Sequence, residues 1–191
     1  YNPDAHQSEP DQVARELSRS LPDGLSVSDY SDTTDWRAVI ATTQAVAAKY
    51  DVHSVRDLAP HCHELTLGVS ADDPAVAALR NTYGCAFAAV KRYPADQLAA
   101  ALAKGEIQAA LLPPTRTESF AVAADARYAI AAENPLPLFH SGALAETQIK
   151  KLNTVAGELS TAELASLVDQ IVAHQAEPAA VAHLWLDQHG F

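Results

Sequence analysis

Short apolar runs alternate along this chain with segments whose apolar residues recur every three or four positions. The runs DWRAVIATT, ELTLGV and IQAALL are apolar with β-branched or alternating positions, and they predict strands. The segments TQAVAAKY, DDPAVAALRNTYG and ADQLAAALAKGE have helical spacing, and the last two end at Gly84 and Gly105, where glycine suits a helix terminus. Strands separated by short helices predict an α/β fold with a mostly parallel sheet.

Helices are also predicted towards both ends of the chain. The segment SEPDQVARELSRSL has Ser8 as its predicted N-cap and Pro10 in its first turn. The segment STAELASLVDQIVAH opens with a capping box, Ser160 and Glu163, and EPAAVAHLWLDQHGF begins a further helix at Pro178. Between these ends, PDGLSVSD predicts a turn and a short strand, HSVRDLAP one helical turn, RYAIAA a strand, and ENPLPLFHSGA an extended connector.

Composition narrows the class of protein. The 191 residues are 48% hydrophobic and 19% charged, which is typical of a globular chain with one domain or two small lobes. Acidic residues outnumber basic ones 24 to 13, and the formal charge of −11 disfavours nucleic acid as a partner. No apolar run reaches the roughly 18 residues of a membrane helix, and the polar first residues are not a signal peptide in this form.

The stretch LAPHCHELTLG raises the question of a metal site. On a strand, His61 and His63 would share one face, which a metal ion could use. A structural zinc site needs two further ligands, and the sequence has no second Cys/His pair at ligand spacing. We therefore expect no metal here.

The two cysteines have a topological explanation. Cys62 precedes the strand in ELTLGV, and the helix predicted over 73–83 should return antiparallel to that strand. Cys85 would then emerge near Cys62, within the separation that a disulfide needs. We favour a Cys62–Cys85 disulfide, as in an exported protein, and two free buried thiols are the alternative.

The sequence offers little support for catalysis. None of G-x-S-x-G, the P-loop, G-x-G-x-x-G and H-E-x-x-H occurs in it. The acidic pair Asp72-Asp73 opens a predicted helix, where carboxylates complement the helix dipole. We expect no catalytic residues and no cofactor, and we predict that the protein is not an enzyme.

Several blocks of the sequence, in order, resemble one family. They are SEPDQVARELSRSLPDGLSV, DWRAVIATTQAVAAKYDVHSVRDLAPHCHELTLG, LRNTYGCAF, ALAKGEIQAALL and GELSTAELASLVDQIVAHQAEPAAVAHLWLDQHGF. Together they are similar to the substrate-binding protein of osmoprotectant ABC importers of the glycine betaine/choline/carnitine type. The resemblance covers nearly the whole chain but not the first segment of the family's N-terminal lobe.

The resemblance implies a periplasmic-binding-protein type II-like fold, with one complete lobe plus the C-terminal part of the other. It divides the chain into an incoming helix of the first lobe at 1–24, a second α/β lobe at 25–118, and a return segment with C-terminal helices at 119–191. Family members bind their ligand in the cleft between two lobes.

The resemblance also indicates candidate ligand-binding residues. Asp35 matches an aspartate that ends an acidic loop, and Tyr30 and Trp36 are nearby aromatic residues, Trp36 being equally well explained by hinge or core packing. Thr115 is the one match to a strand-end pattern of an aromatic followed by T-T-D. Phe139 is a candidate aromatic wall, and it is equally well explained by packing within a lobe. The chain departs from the family at Pro113, Pro114 and Arg116, and it lacks an arginine in the loop SADDPAVAAL.

The implied function is that of an extracytoplasmic component that captures a quaternary-amine solute and delivers it to an ABC permease. The expected location is the periplasm or the cell surface, with a lipid anchor on the precursor as one option. The alternative is a degenerate module that keeps this fold and binds a protein partner instead of a solute.

Overall fold

The computed structural model describes residues 7–71 and 73–191, so expectations that involve the first six residues or Asp72 lie outside the described residues. Within the described residues the chain forms eight α-helices and seven strands. The helices are α1 (Pro10–Ser20), α2 (Gln44–Tyr50), α3 (Val55–Leu58), α4 (Pro74–Tyr83), α5 (Ala95–Ala103), α6 (Glu146–Glu158), α7 (Thr161–Val172) and α8 (Pro178–His189). The strands are β1 (Leu25–Val27), β2 (Val39–Thr42), β3 (Thr66–Val69), β4 (Ala89–Arg92), β5 (Ala109–Leu112), β6 (Ala121–Ala123) and β7 (Leu138–His140).

The chain divides into two units. Unit 1 contains the residues up to Asp23 and Trp36–Glu133, and unit 2 contains Gly24–Asp35 and Asn134–Phe191. These bounds differ from the predicted ones because β1 pairs with β7, which groups 24–35 with the C-terminal part. Strand β6 pairs with β2, which keeps 119–133 in unit 1. The assignment of predicted segments to lobes of a two-lobed protein stays a prediction.

Unit 1 is built on a five-stranded sheet in the order β4-β3-β5-β2-β6. Strand β3 is parallel to β4 and β5, whereas β2 is antiparallel to both β5 and β6. Four strands therefore run in one direction and β2 runs against them. The predicted α/β class is confirmed. The expectation of a mostly parallel sheet holds for the neighbouring strands β3, β4 and β5, whereas β2 is antiparallel to both of its neighbours.

Helices cover both faces of this sheet. On one face, Leu58 and Leu79 pack with Leu67 of β3 in a buried apolar cluster. On the other face, Leu98 and Leu102 of α5 form a second buried cluster with other apolar residues. Each such buried aliphatic side chain contributes roughly 1.5–3 kcal/mol of transfer free energy. The β2, β3 and β5 strands are therefore core strands, which agrees with their apolar sequences.

Cys62 and Cys85 form the predicted disulfide, with a Cα–Cα distance of 5.3 Å. Cys62 lies in a 3₁₀ segment, Ala59–Glu64, just before β3, and Cys85 follows Gly84, the C-cap of α4. Both residues are 1% exposed. The β3–α4 unit therefore brings the two cysteines together as the sequence indicated.

Unit 2 combines the two-stranded antiparallel sheet β1–β7 with α6, α7 and α8. The predicted capping box is present at the start of α7, where the Ser160 N–H and hydroxyl both donate to Glu163 Oε2 at 2.9 and 2.6 Å. Trp185 of α8 is 7% exposed, and its ring stacks on that of His189 at 4.1 Å between centroids. Its indole N–H faces Glu163 Oε1 at 3.4 Å, so the cap of α7 also contacts α8.

Two local predictions were wrong, and two strands, β4 and β6, were not predicted. Glu9, not Ser8, occupies the N-cap position of α1, and the Ser8 carbonyl accepts a hydrogen bond from Ala132 N–H. The segment RYAIAA, at 127–132, is not a strand, because a buried carboxylate captures two of its backbone N–H groups. Strand β4 was missed because all four of its residues are exposed, so it shows no alternation between buried and solvent-facing positions.

Among the described residues, no helix combines the length and the apolar character that a membrane crossing requires.

Candidate functional site

One edge of the unit 1 sheet collects the ends of four strands. Val69 of β3 pairs with Arg92 of β4, and Leu112 of β5 pairs with Val39, the first residue of β2. Strands β3, β4, β5 and β6 therefore end where β2 begins, and we call this side of the sheet the carboxyl edge. In open α/β sheets, ligands bind outside the carboxyl ends of the strands, where the strand order reverses. Here the order reverses at β3, which lies between β4 and β5.

Two of the predicted site residues lie at the carboxyl edge. Trp36 precedes β2, is half-buried, and donates its backbone N–H to the carbonyl of Glu133 at 2.7 Å. Thr115 follows β5 in the 3₁₀ turn Pro114–Arg116 and is also half-buried. Because Val39 pairs with the last residue of β5, both candidates extend beyond the same end of one strand pair.

The other three predicted site residues belong to unit 2. Asp35 donates its backbone N–H to the Thr161 hydroxyl at 2.9 Å, which ties it to the first residue of α7. Phe139 lies on β7, where it pairs with Ser26 of β1. Tyr30 lies between β1 and Asp35 and is half-buried. The five candidates are therefore divided between the units, and their roles in binding stay predictions.

A concavity of about 640 Å³ opens at the carboxyl edge between β3, β4 and the start of α4. Most of its walls are apolar, and Asp73 and Arg92 add charge to its lining. Asp73 is the N-cap of α4 and accepts a hydrogen bond from the Ala75 N–H at 2.9 Å, so its carboxylate serves the helix as expected. Its lining residues include Val69, Ala71, Pro74, Val76 and Val90.

A second concavity, of about 440 Å³, lies at the same edge between the start of β2 and the end of β6. Three polar side chains line it, namely Arg37, Asp125 and Tyr128. The Arg37 guanidinium lies 4.4 Å from the centroid of the Tyr128 ring, which is cation–π geometry. It also donates to the Ile130 carbonyl at 3.1 Å and lies 3.5 Å from Asp125 Oδ2.

Asp125 organises this part of unit 1. Asp125 is 8% exposed. Its carboxylate accepts hydrogen bonds from the Tyr83 hydroxyl at 2.6 Å, the Ala129 N–H at 3.2 Å and the Ile130 N–H at 2.9 Å. Burial, and then the hydrogen bond to Asp125, raises the pKa of Tyr83 above its ordinary value. The phenol therefore remains a donor at neutral pH.

Sequence reasoning missed this cluster. The available signal was a lone aspartate inside an apolar run, AVAADARYAI, followed after one alanine by arginine and tyrosine. A buried carboxylate needs partners, so an acidic residue in such a run indicates a hydrogen-bonded centre. The aspartate does not identify its partners, because Arg37 and Tyr83 are 88 and 42 residues away from it in sequence.

The histidines around Cys62 lie before β3, away from the carboxyl edge. Both His61 and His63 approach Glu64 Oε1 at 4.0 Å, and His61 stacks on Tyr50 at 3.9 Å between centroids. The Tyr50 hydroxyl, and then the charge of Lys49, hold the pKa of Glu64 below its ordinary value. Within residues 7–71 and 73–191, no three His, Cys, Asp or Glu side chains are arranged to hold a metal ion.

The comparisons with known proteins agree with this architecture. Residues 10–188 match the family model described as the substrate binding domain of ABC-type glycine betaine transport systems. No curated protein sequence matches the chain significantly. The solved structure of a glycine betaine/carnitine/choline ABC transporter aligns with 97% of this chain over 71% of its own length, with a TM-score of 0.79 and 21% sequence identity.

Two further solved structures share the fold. Apo YehZ from Escherichia coli covers 94% of this chain and 72% of its own, at a TM-score of 0.71 and 19% identity. The structure of an ABC-transporter choline binding protein in complex with choline aligns with 94% of this chain over 67% of its own length, with a TM-score of 0.54 and 15% sequence identity. The expected type II periplasmic-binding-protein fold is thereby confirmed. The chain belongs to the family of substrate-binding domains of ABC-type glycine betaine transport systems.

Proposed function

We propose that this chain is the solute-binding component of an ABC importer for quaternary-ammonium compatible solutes, such as glycine betaine or choline. The observation that carries the proposal is the family match over residues 10–188. Support comes from the carboxyl edge of unit 1, where two concavities lie at the place that α/β sheets use for ligands.

The proposed chemistry follows from the ligand class. A quaternary ammonium has no hydrogen to donate, so proteins hold it against aromatic faces. Trp36, at the carboxyl edge, is our first candidate for such a face, with Tyr30 and Phe139 as the candidates from unit 2. We assign the hydroxyl of Thr115 and the carboxylate of Asp35 to polar contacts with the solute.

The proposed setting is extracytoplasmic, in the periplasm or at the cell surface, where the protein delivers its solute to a membrane permease. A lipid anchor on the precursor belongs to the same proposal. The buried disulfide supports an oxidising compartment, because such bonds are rare in the cytosol. The role is binding without chemical turnover, as in the family to which the chain belongs.

One observation favours a second candidate function. The segment after β5 reads PPTR, and it forms a 3₁₀ turn at the edge where the resemblance expects an aromatic residue and T-T-D. Arg116 there places a positive charge where the expected aspartate is negative. A degenerate module that binds a protein partner would tolerate this change more easily than a receptor for a cationic solute.

Calorimetric titration with glycine betaine, choline, carnitine and proline betaine tests the proposal. We expect saturable binding that Trp36→Ala weakens by about tenfold or more and Trp36→Phe weakens less, since phenylalanine keeps an aromatic face. Thermal melts of both variants check that they fold. Absence of heat with all four solutes, from a chain that melts cooperatively, would favour the protein-binding module.

A further inference from the structure

Tyr128 has a backbone conformation that tyrosine rarely adopts. Its φ angle is +49°, in the left-handed region that glycine or asparagine occupies more easily. The residue lies in the loop after β6 that winds around Asp125, whose carboxylate binds the next two backbone N–H groups, of Ala129 and Ile130. These hydrogen bonds help to hold Tyr128 in its unfavourable conformation.

The side chain of Tyr128 is held as firmly as its backbone. The Arg37 guanidinium covers one face of the ring at 4.4 Å. Arg37 is itself fixed by the Ile130 carbonyl at 3.1 Å and the Asp125 carbonyl at 3.3 Å. A buried network therefore maintains a strained residue at the rim of the 440 Å³ concavity. Strain of this kind concentrates at sites where a side chain must be positioned for function.

The charges that line this concavity are unequally exposed. The side chain of Arg37 is 16% exposed and that of Asp125 is 7% exposed. The carboxylate of Asp125 also receives three hydrogen bonds from Tyr83, Ala129 and Ile130. The Arg37 side chain is therefore the more accessible partner of this ion pair, and an anion is the ligand group that it favours.

We propose that Tyr128 is a specificity-determining wall of the solute site, and that the Arg37 guanidinium stacked on it selects solutes that carry a carboxylate. This inference rests on the proposed function and specifies its substrate class. A zwitterion such as glycine betaine can turn its carboxylate towards Arg37. Choline has only its cationic group and a neutral hydroxyl, so it cannot form an ion pair with Arg37.

The first test asks whether Tyr128 contacts the solute or is only a residue with a strained backbone. Tyr128→Asn relieves the left-handed backbone and removes the ring, so we expect equal or higher thermal stability together with about tenfold weaker binding of glycine betaine. Asp51→Gly is the matched control, because Asp51 is exposed, belongs to unit 1 and has a φ of +53°. It should leave binding unchanged. If Tyr128→Asn binds glycine betaine as tightly as the wild-type chain, Tyr128 is not a wall of the solute site.

The second test addresses selection by charge. We expect the wild-type chain to bind glycine betaine about tenfold or more tightly than choline in calorimetric titrations. Arg37→Gln removes the charge and keeps a polar side chain, so it should bring the ratio of the two affinities towards one. A folded Arg37→Gln variant with the wild-type ratio, or a wild-type chain that binds choline as tightly as glycine betaine, would overturn the selection. If the wild-type chain binds neither solute, the proposed function fails, and this inference fails with it.

Discussion

The Tyr83 hydroxyl donates a hydrogen bond of 2.6 Å to Oδ1 of Asp125, which joins the last turn of α4 to the loop after β6. The same hydroxyl accepts the backbone N–H of Arg127 at 2.8 Å. Asp125 is 8% exposed, so its carboxylate relies on these protein donors instead of water. The two residues therefore determine the conformation of the loop that carries Tyr128.

We predict that Asp125→Ala destabilises the chain by about 2–4 kcal/mol, because it leaves several buried donors without an acceptor. Tyr83→Phe removes one donor and should cost about 1–2 kcal/mol. Chemical denaturation at neutral pH measures both values. Equal losses for the two variants would contradict the central position of Asp125.

The Cys62–Cys85 disulfide closes a loop over a sequence separation of 23 residues. The entropy of such a loop in the unfolded chain predicts a loss of about 3 kcal/mol when both cysteines are changed to alanine. Because both cysteines are 1% exposed, we also expect a reducing agent to act only as the chain unfolds. Fast reduction of the folded chain, followed by thiol labelling, would contradict this expectation.

Gly68 and Gly157 give a matched pair of alanine substitutions. A Cβ on Gly68 of β3 would lie under 3.0 Å from Cδ1 of Ile107 and Leu98, both of which are packed in the core. Gly68→Ala should therefore destabilise the chain by about 1–3 kcal/mol. Gly157 lies in α6 with open space around it, so Gly157→Ala should stabilise the chain by about 0.5–1 kcal/mol. Thermal melts that change in the same direction for both would contradict this packing.

The capping carboxylate of Glu163 predicts a pH dependence of stability. Hydrogen bonds from the Ser160 hydroxyl and N–H lower the pKa of Glu163 from 4.5 to about 2. Because the pKa is lowered on folding, the carboxylate stabilises the folded chain at pH values above its ordinary pKa of 4.5. This contribution is lost as the pH falls from about 4.5 towards about 2. Denaturation at pH 7 and pH 3 should show a smaller pH effect for Glu163→Gln than for the wild-type chain. Glu158→Gln, at an exposed position, is the control. If both variants reduce the pH effect on stability equally, the pH dependence does not come from the capping carboxylate of Glu163.

Much of the fold follows from local patterns in the sequence. The core strands β2, β3 and β5 are apolar and the helices between them have helical periodicity, so their positions could be predicted. The disulfide followed from the length and direction of one strand–helix unit. Strand β4 could not be found this way, because all four of its residues are exposed.

The site was less predictable because its residues meet through long-range contacts. The run RYAIAA has the composition of a strand, yet the Asp125 carboxylate takes the N–H groups of Ala129 and Ile130. The partners of that carboxylate come from elements far away in sequence, which no local pattern reveals. The resemblance to a family gave candidate residues, of which Trp36 and Thr115 lie at the carboxyl edge.

Mapping of backbone amide shifts by NMR during titration with glycine betaine tests whether the solute binds at the carboxyl edge of unit 1. We predict saturable shift changes at the carboxyl edge, around Trp36, Ala71, Thr115 and Tyr128, with little change around His61 at the opposite end of β3. Shift changes confined to residues away from that edge, or no saturable change at all from a folded chain, would contradict it.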